Sequence, residues 1–103
     1  MREGVNGLNT SEALARLKYL ISKNQFILVN RRASHAQAVT SSLAKVIVNQ
    51  LSITDFQKHE EDRDRLNEFV WVYKAEYGEV YYIKFKFIND NNMVKFISFH
   101  ISN

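Results

Sequence analysis

The last third of the chain alternates between large apolar and polar side chains with the two-residue period of a β-strand. This pattern predicts three strands, near residues 68–76, 79–88 and 93–101. The breaks between them, Tyr77-Gly78 and residues 89–92 (Asn-Asp-Asn-Asn), are made of residues that tolerate a left-handed backbone. Three strands joined by two such turns form an antiparallel meander, so this third of the chain must be a sheet.

The residues before the meander predict helices. After a possible cap at Thr10 or Ser11, leucine and isoleucine side chains recur at helical spacing until Asn24, which suits a helix end. Residues 34–51 predict a second helical stretch, interrupted at Thr40-Ser41-Ser42 by a turn and a new N-cap. Between the two, the apolar run 26–29 predicts a buried strand or an extended crossing.

This order of elements predicts an α+β fold. Two or three N-terminal helices would pack on one face of the C-terminal antiparallel meander. The 103 residues are enough for one domain, which we expect over residues 10–103, after a flexible tail over residues 1–9. Dinucleotide-binding and barrel domains are larger than this.

Composition excludes several classes of site. The chain has no cysteine, which rules out disulfide scaffolds, thiolate metal sites and thiol nucleophiles. No apolar run approaches the roughly 20 residues that cross a bilayer, and the N-terminus lacks a secretory hydrophobic core, so we expect a cytoplasmic protein. The net charge of +3 is compatible with a nucleic-acid partner but is not specific for one.

Alternation also divides each predicted strand into a core face and a polar face. In the last strand it groups Val94 and Phe96 with Ser98 and His100. If the strands pair in sequence order, one surface of the sheet carries Lys74, Tyr82, Lys84, Lys86, Ser98 and His100. This surface would be basic and would hold a phenol and an imidazole.

Such a surface suits a phosphodiester. Metal-free RNA cleavage needs a base for the 2′-hydroxyl, an acid for the 5′-oxygen and positive charge near the phosphate oxygens. Imidazole ordinarily changes protonation near neutral pH, lysine and arginine hold phosphate, and tyrosine donates a hydrogen bond or stacks on a base. The alternative is a solvated face, on which the lysines are simply exposed and His100 fills a polar position.

Two other charged segments leave alternatives open. Arg31-Arg32 follows the predicted strand and either contacts phosphate or is only exposed. Residues 59–66 predict an exposed loop or a frayed helical turn rather than a metal site, because the acidic residues lack a fixed ligand spacing. We therefore expect neither a metal nor a small-molecule cofactor.

Four strings, in order along the chain, resemble the motility quorum-sensing regulator (MqsR) family of type II toxins, small ribonucleases with a RelE-like fold. The first is the helix over residues 13–21 with a crossing that ends in Arg31-Arg32-Ala33. Residues 51–58 (Leu-Ser-Ile-Thr-Asp-Phe-Gln-Lys) resemble the family's Leu-Ser-x-x-Asp-Phe-x-Lys block. The hairpin, with residues 71–74 and 80–84, and the last strand, residues 94–100, complete a resemblance that spans about residues 11–101.

The resemblance implies sequence-selective, ribosome-independent cleavage of messenger RNA, restrained by a cognate antitoxin protein. It matches Lys58 and Tyr82 to an active-site Lys and Tyr, and His100 to a terminal-strand Lys. His100 would keep a proton carrier in the site. Val70 stands at the position of an active-site Gln and Trp71 where the family's block usually has Asp, and these are departures from the family pattern.

Together these observations predict a metal-independent mRNA endoribonuclease toxin that acts without a membrane. The predicted catalytic residues are His100, Tyr82 and Lys58, and the predicted RNA-binding residues are Lys84, Lys74, Lys86, Arg31 and Arg32. One alternative is a non-catalytic RelE-fold module that uses the same surface to bind a protein or a nucleic acid, which Val70 motivates. Another is a degenerate family member that acts as a structural partner.

Overall fold

A computed structural model of the chain describes residues 8–29, 39–62, 65 and 67–102. Two helices, α1 (Thr10–Ser22) and α2 (Ser41–Gln50), and a 3-10 turn (Ile53–Asp55) accompany five strands. The strands are β1 (Phe26–Leu28), β2 (Phe56–Glu61), β3 (Phe69–Tyr77), β4 (Glu79–Ile88) and β5 (Met93–Ile101). This arrangement confirms the predicted α+β fold. Residues 1–7 of the predicted tail, and residues 30–38 with Arg31 and Arg32, lie outside the described residues.

The strands form one sheet in the order β1-β5-β4-β3-β2. Strands β2 to β5 are antiparallel neighbours in sequence order, as a meander requires, and β1 joins the outer side of β5 in parallel. The predicted turns use the left-handed backbone, with φ of +76° at Gly78 and of 54°, 56° and 65° at Asn89, Asp90 and Asn91. Of the two alternatives for residues 26–29, the structure shows a strand, but it lies at an edge of the sheet with Ile27 44% exposed, so the expectation of a buried strand is wrong.

Both helices pack on one face of the sheet. Ala13 and Leu17 of α1 and Ala44 and Ile47 of α2 are each 0% exposed. They belong to one core cluster with the large side chains that point from the sheet toward the helices: Trp71, Tyr73, Tyr81, Ile83, Phe85, Phe87, Phe96 and Phe99. The opposite face, which we call the polar face, is the one that carries the predicted site.

Helix α1 begins one residue earlier than the sequence predicts. The cap is Asn9 rather than Thr10 or Ser11: its side chain accepts from the Glu12 N–H at 2.8 Å, and Glu12 accepts from the Asn9 N–H at 3.0 Å. This reciprocal pair satisfies two N–H groups that the first turn leaves without partners. The cap of α2 is Thr40, one of the three residues among which the sequence predicts it, and its hydroxyl accepts from the Leu43 N–H.

Residues 59–61 are strand, not the exposed loop or helical turn expected from their charge. They continue β2, and His59 stacks on Trp71 of β3 with ring centroids 3.7 Å apart and planes 9° from parallel. The cross-strand aromatic contact outweighs the charged composition of the segment, because it pairs a half-buried ring with a fully buried one.

Strict alternation also fails in β5. Lys84 of β4 faces Ser98, but its neighbour Phe85 faces Phe96, so Ile97 is an extra residue in β5. This β-bulge reverses the faces: Val94 and Phe96 lie in the core, 0% and 1% exposed, and Phe96 contacts Phe99 with ring centroids 5.2 Å apart. The prediction that Val94 and Phe96 share a face with Ser98 and His100 is therefore wrong.

Replacing Asn9 with Ala should lower the free energy of unfolding by about 1 kcal/mol, because the capping hydrogen bond to Glu12 is lost. Ser11→Ala changes one of the two residues that the sequence offers as a cap, in the same exposed first turn. It should change the free energy of unfolding by less than about 0.5 kcal/mol. Urea unfolding of the two variants measures both values. Equal effects would contradict the assignment of the cap.

Candidate nucleic-acid site

Lys74, Tyr82 and His100 form one cross-strand row on the polar face. Tyr82 pairs with Lys74 on one side and with His100 on the other. Directly paired residues of antiparallel strands point to the same face, so the three side chains are neighbours. The Tyr82 and His100 rings stack, with centroids 5.5 Å apart and planes at 30°. The structure thus brings together a phenol, an imidazole and an ammonium group from three strands.

The next row along the same face contains a second set of site residues. Lys58 of β2 pairs with Val72, Val72 pairs with Lys84, and Lys84 pairs with Ser98. Ser98 and Lys84 each lie two residues from a member of the first row and on the same face. The sequence-predicted surface is therefore assembled, with Ser98 as one of its members.

The hydrogen bond that His100 makes determines which of its nitrogens can exchange a proton. Its Nδ1 lies 3.0 Å from the carbonyl oxygen of Ile101. A carbonyl only accepts, so Nδ1 carries the hydrogen in this contact and Nε2 is the acceptor of the neutral ring. Nε2 is therefore the nitrogen that can take a proton from a substrate and return it.

On the polar face, the described lysines without a carboxylate within salt-bridge distance are Lys74 and Lys84, beside Tyr82, and Lys95, opposite Lys86. Lys74 is exposed and Lys84 half-buried, and in the described part of the chain neither has a carboxylate within salt-bridge distance. Two uncompensated ammonium groups flank Tyr82, one across the strand and one along it. A bound anion would be stabilised by both ammonium groups in this part of the face.

Lys58 lies farther from the imidazole. Strands β3 and β4 separate it from β5, which corresponds to about 14 Å at the usual strand spacing. Its ammonium is 3.4 Å from the Glu60 carboxylate, and both side chains are exposed, so the pair is weak and water competes for it. Lys58 can reach an RNA strand that crosses the face, at a phosphate different from the one beside His100.

Lys86 does not belong with the other predicted RNA-binding residues. It is 6% exposed, and its ammonium donates to Asp62 at 2.9 Å and to Glu68 at 2.7 Å. Burial by itself would lower the pKa of Lys86, but the hydrogen bonds to the two carboxylates outweigh it and the pKa is raised. The hydrogen bond from Lys86 in turn lowers the pKa of Glu68. We correct the sequence-based assignment: Lys86 ties the β2–β3 connection to β4.

Trp71 and Tyr73 are core residues, as their type suggests. They are 1% and 0% exposed on the helix-facing side of β3, and burial, with a contribution from Asp55, raises the pKa of Tyr73 to about 12. In the described ranges, no group of three or more His, Asp or Glu side chains is arranged to hold a metal ion. No helix in those ranges is both long and apolar enough to cross a membrane.

Comparison with known proteins gives one match. The profile of the family described as "Motility quorum-sensing regulator, toxin of MqsA" matches residues 10–101. The chain belongs to this family. No curated protein and no solved structure matches it significantly. The match confirms the family that the four strings resemble, and membership implies a toxin with an MqsA antitoxin as its partner.

Within this MqsR-family chain, the structure shows what the Val70 departure means. Val70 pairs with Glu60, is 0% exposed and lies outside the core cluster, which places it on the polar face. Neither its side chain nor its burial allows a hydrogen bond to a substrate. The polar groups of the site are therefore those of the two rows.

Sequence reasoning missed the bulge and the ion pairs of Lys86 in this MqsR-family chain. A signal for the bulge exists, because the apolar positions of β5 shift from even numbers (94, 96) to odd numbers (99, 101). No signal of that kind marks Lys86, since Asp62 and Glu68 are distant in sequence and lie in a segment with many charges.

Replacing Lys86 with Met should lower the free energy of unfolding by about 1–3 kcal/mol near neutral pH. The reason is that Asp62, with a side chain only 12% exposed, loses this cation. Urea unfolding checks the value. Lys95→Met is the control: it removes the like charge that pairs opposite Lys86 and should not destabilise the protein.

The difference between wild type and Lys86→Met should depend on pH at both ends. The lowered pKa of Glu68 means that its contribution is complete above the ordinary value of 4.5 and is lost as the pH falls through the folded value. The raised pKa of Lys86 means that its contribution is complete below 10.5 and is lost as the pH rises through the folded value. If the difference in the free energy of unfolding falls neither at acid pH nor at alkaline pH, the assignment of the ion pairs is contradicted.

Proposed function

We propose that the chain is a metal-independent endoribonuclease toxin that cleaves messenger RNA. The observation that carries the proposal is the Lys74–Tyr82–His100 row, with uncompensated Lys84 beside it. It offers a proton carrier, a hydrogen-bond donor and positive charge on three adjacent strands, with Tyr82 one strand spacing from each of the other two residues. These are the groups that cleavage of a ribose-phosphate linkage requires.

In the proposed reaction the 2′-oxygen attacks phosphorus and the bond from phosphorus to the 5′-oxygen breaks. The 2′-hydroxyl loses its proton, the 5′-oxygen gains one, and the products are a 2′,3′-cyclic phosphate and a 5′-hydroxyl. His100 exchanges one of these protons through Nε2, as general base or general acid, and a solvent water exchanges the other. Its Nδ1–H donates to the Ile101 carbonyl, which holds the ring in one orientation.

The other residues hold the phosphate and its neighbours. Lys84 and Lys74 place positive charge near the non-bridging oxygens, where negative charge grows in the transition state. The Tyr82 hydroxyl donates a hydrogen bond to the same group, and its ring keeps the imidazole in place by stacking. Lys58 binds the next phosphate along the strand and leaves its weak pair with Glu60 to do so.

Purified protein should cleave single-stranded RNA at neutral pH in the presence of EDTA. His100→Ala should lower the cleavage rate by about 10²–10⁴-fold, because proton transfer at the leaving or attacking oxygen is lost. Tyr82→Phe keeps the stacked ring and removes only the hydroxyl, so its cleavage rate should lie between those of wild type and His100→Ala. The rates are measured on an end-labelled oligonucleotide, with circular dichroism to show that each variant is folded. A folded wild type that leaves RNA intact would overturn the proposal.

Lys84→Met should weaken RNA binding about tenfold at low salt and reduce the slope of log K against log salt by about 0.7, because one phosphate contact is lost. Lys23→Met is the control, since it removes the same charge from the exposed end of α1 on the other face of the sheet. Fluorescence anisotropy at several salt concentrations measures both slopes. Equal slopes for the two variants would show that Lys84 does not contact phosphate.

A second candidate keeps the surface and omits the chemistry. The burial of Val70 at 0% exposure, at the position of the family's active-site Gln, favours a RelE-fold module that inhibits growth by binding a protein or a nucleic acid. Expression of wild type and His100→Ala in cells separates the candidates. Equal growth arrest indicates binding, whereas relief of the arrest by the substitution indicates cleavage.

A further inference from the structure

We infer that Ser98 is a phosphate-binding residue. Its hydroxyl donates a hydrogen bond to a non-bridging oxygen, and its small size leaves the space that the phosphate fills. The inference deepens the proposed function and rests on it where the phosphate is said to belong to RNA. Alternation in the sequence places Ser98 on this surface, and the inference gives it a role there.

Ser98 is one of four residues that border a single cell of the β4–β5 ladder. The other three are Tyr82, Lys84 and His100, with Tyr82 paired to His100 and Lys84 paired to Ser98. Paired Cβ atoms lie about 5 Å apart and diagonal ones about 7–8 Å. A phosphate centred on this cell is within reach of an ammonium, a phenol, an imidazole and a hydroxyl together.

Ser98 has the shortest side chain of the four residues of the cell. Tyr82, Lys84 and His100 all extend well beyond the backbone, whereas the serine side chain ends at its γ-oxygen. Ser98 is half-buried between them. A phosphate that enters from the polar face meets the three long side chains at its sides and Ser98 at its base.

The Ser98 hydroxyl also lacks a competing partner. Among the hydrogen bonds of the described residues, none uses the Ser98 γ-oxygen, whereas Ser22 and Ser52, for example, are engaged within their own segments. A hydroxyl without an internal partner beside a cation can turn its hydrogen toward a bound anion.

The bulge at Ile97 explains why a serine can occupy this position. Ser98 is the first residue after the extra one, and the change of face between Phe96 and Ser98 occurs here. Because the bulge sends Phe96 into the core, the polar face receives Ser98 and His100 rather than a large aromatic ring. The backbone irregularity and the small residue thus coincide at the same cell.

Substitutions that separate size from hydrogen bonding test the inference. Threonine and valine have the same shape and differ only in the hydroxyl, so Ser98→Thr should keep a kcat/KM at least about tenfold higher than Ser98→Val, a factor typical of one hydrogen bond to a charged group. Ser98→Ala, which keeps the space and loses the donor, should lie between them. β-Branched residues suit strands, so thermal unfolding should show that all three variants fold.

Ser102→Val provides the matched control. Ser102 lies two residues beyond His100, outside the cell, and its N–H donates to the Val80 carbonyl at 2.7 Å. Its substitution should change kcat/KM by less than about threefold, since a group outside the cell makes no phosphate hydrogen bond. If Ser102→Val and Ser98→Val have equal effects, or if Ser98→Val cleaves as fast as wild type, the inference is overturned while the proposed activity stands.

A titration with inorganic phosphate distinguishes this inference from the proposed function. The ring protons of His100, followed by NMR, should shift on addition of phosphate in wild type and Ser98→Thr, and the Kd should rise at least about fivefold in Ser98→Val. If RNA stays intact but phosphate binds more weakly to Ser98→Val, phosphate binding by Ser98 is supported and the ribonuclease activity is not. If phosphate binds equally to all variants, or causes no shift, the inference that Ser98 binds phosphate is wrong whatever the RNA result.

Discussion

The placement of the candidate site depends on one extra residue in β5. With strict alternation, His100 and Ser98 would share a face with Phe96 and Val94, and either the aromatic ring would leave the core or the imidazole would enter it. The bulge at Ile97 removes this conflict, because Val94, Phe96 and Phe99 all reach the core cluster while Ser98 and His100 stay opposite Lys84 and Tyr82. Core packing and site geometry are thus satisfied by the same strand.

Charge on the polar face is distributed by pairing rather than by residue type. Lys86 is neutralised by two carboxylates, Lys58 is weakly engaged by one, and Lys74 and Lys84 have none among the described residues. A buried ammonium requires counter-charges to offset its lost hydration, whereas an exposed one does not. Beside Tyr82 and His100 the face therefore carries two lysines without a carboxylate partner among the described residues, whereas at Lys86 two carboxylates offset the buried ammonium.

Local patterns were sufficient to predict the meander, its turns and the helical layer, because each depends on spacing along the chain. They also predicted the Tyr82–His100 pairing, since sequential strands in a meander are neighbours. Three features were beyond such reasoning. The Asn9 cap competes with two equally good residues beside it. The strand at His59 is stabilised by a ring on another strand. The buried Lys86 ammonium is paired with carboxylates 18 and 24 residues away. Each of these is decided by contacts that spacing does not encode.

The hydrogen bond from His100 to Ile101 ties the orientation of the imidazole to the order of the carboxyl end of β5. The acceptor is a backbone carbonyl of the final residue of β5, and that residue is followed by the Ser102 N–H that pairs with Val80. Strand ends open with less free energy than the centre of a sheet. Warming should therefore free the His100 ring from Ile101 and from the Tyr82 ring while Trp71, Phe85 and the helices are still packed: the arrangement of the polar face would be lost before the core.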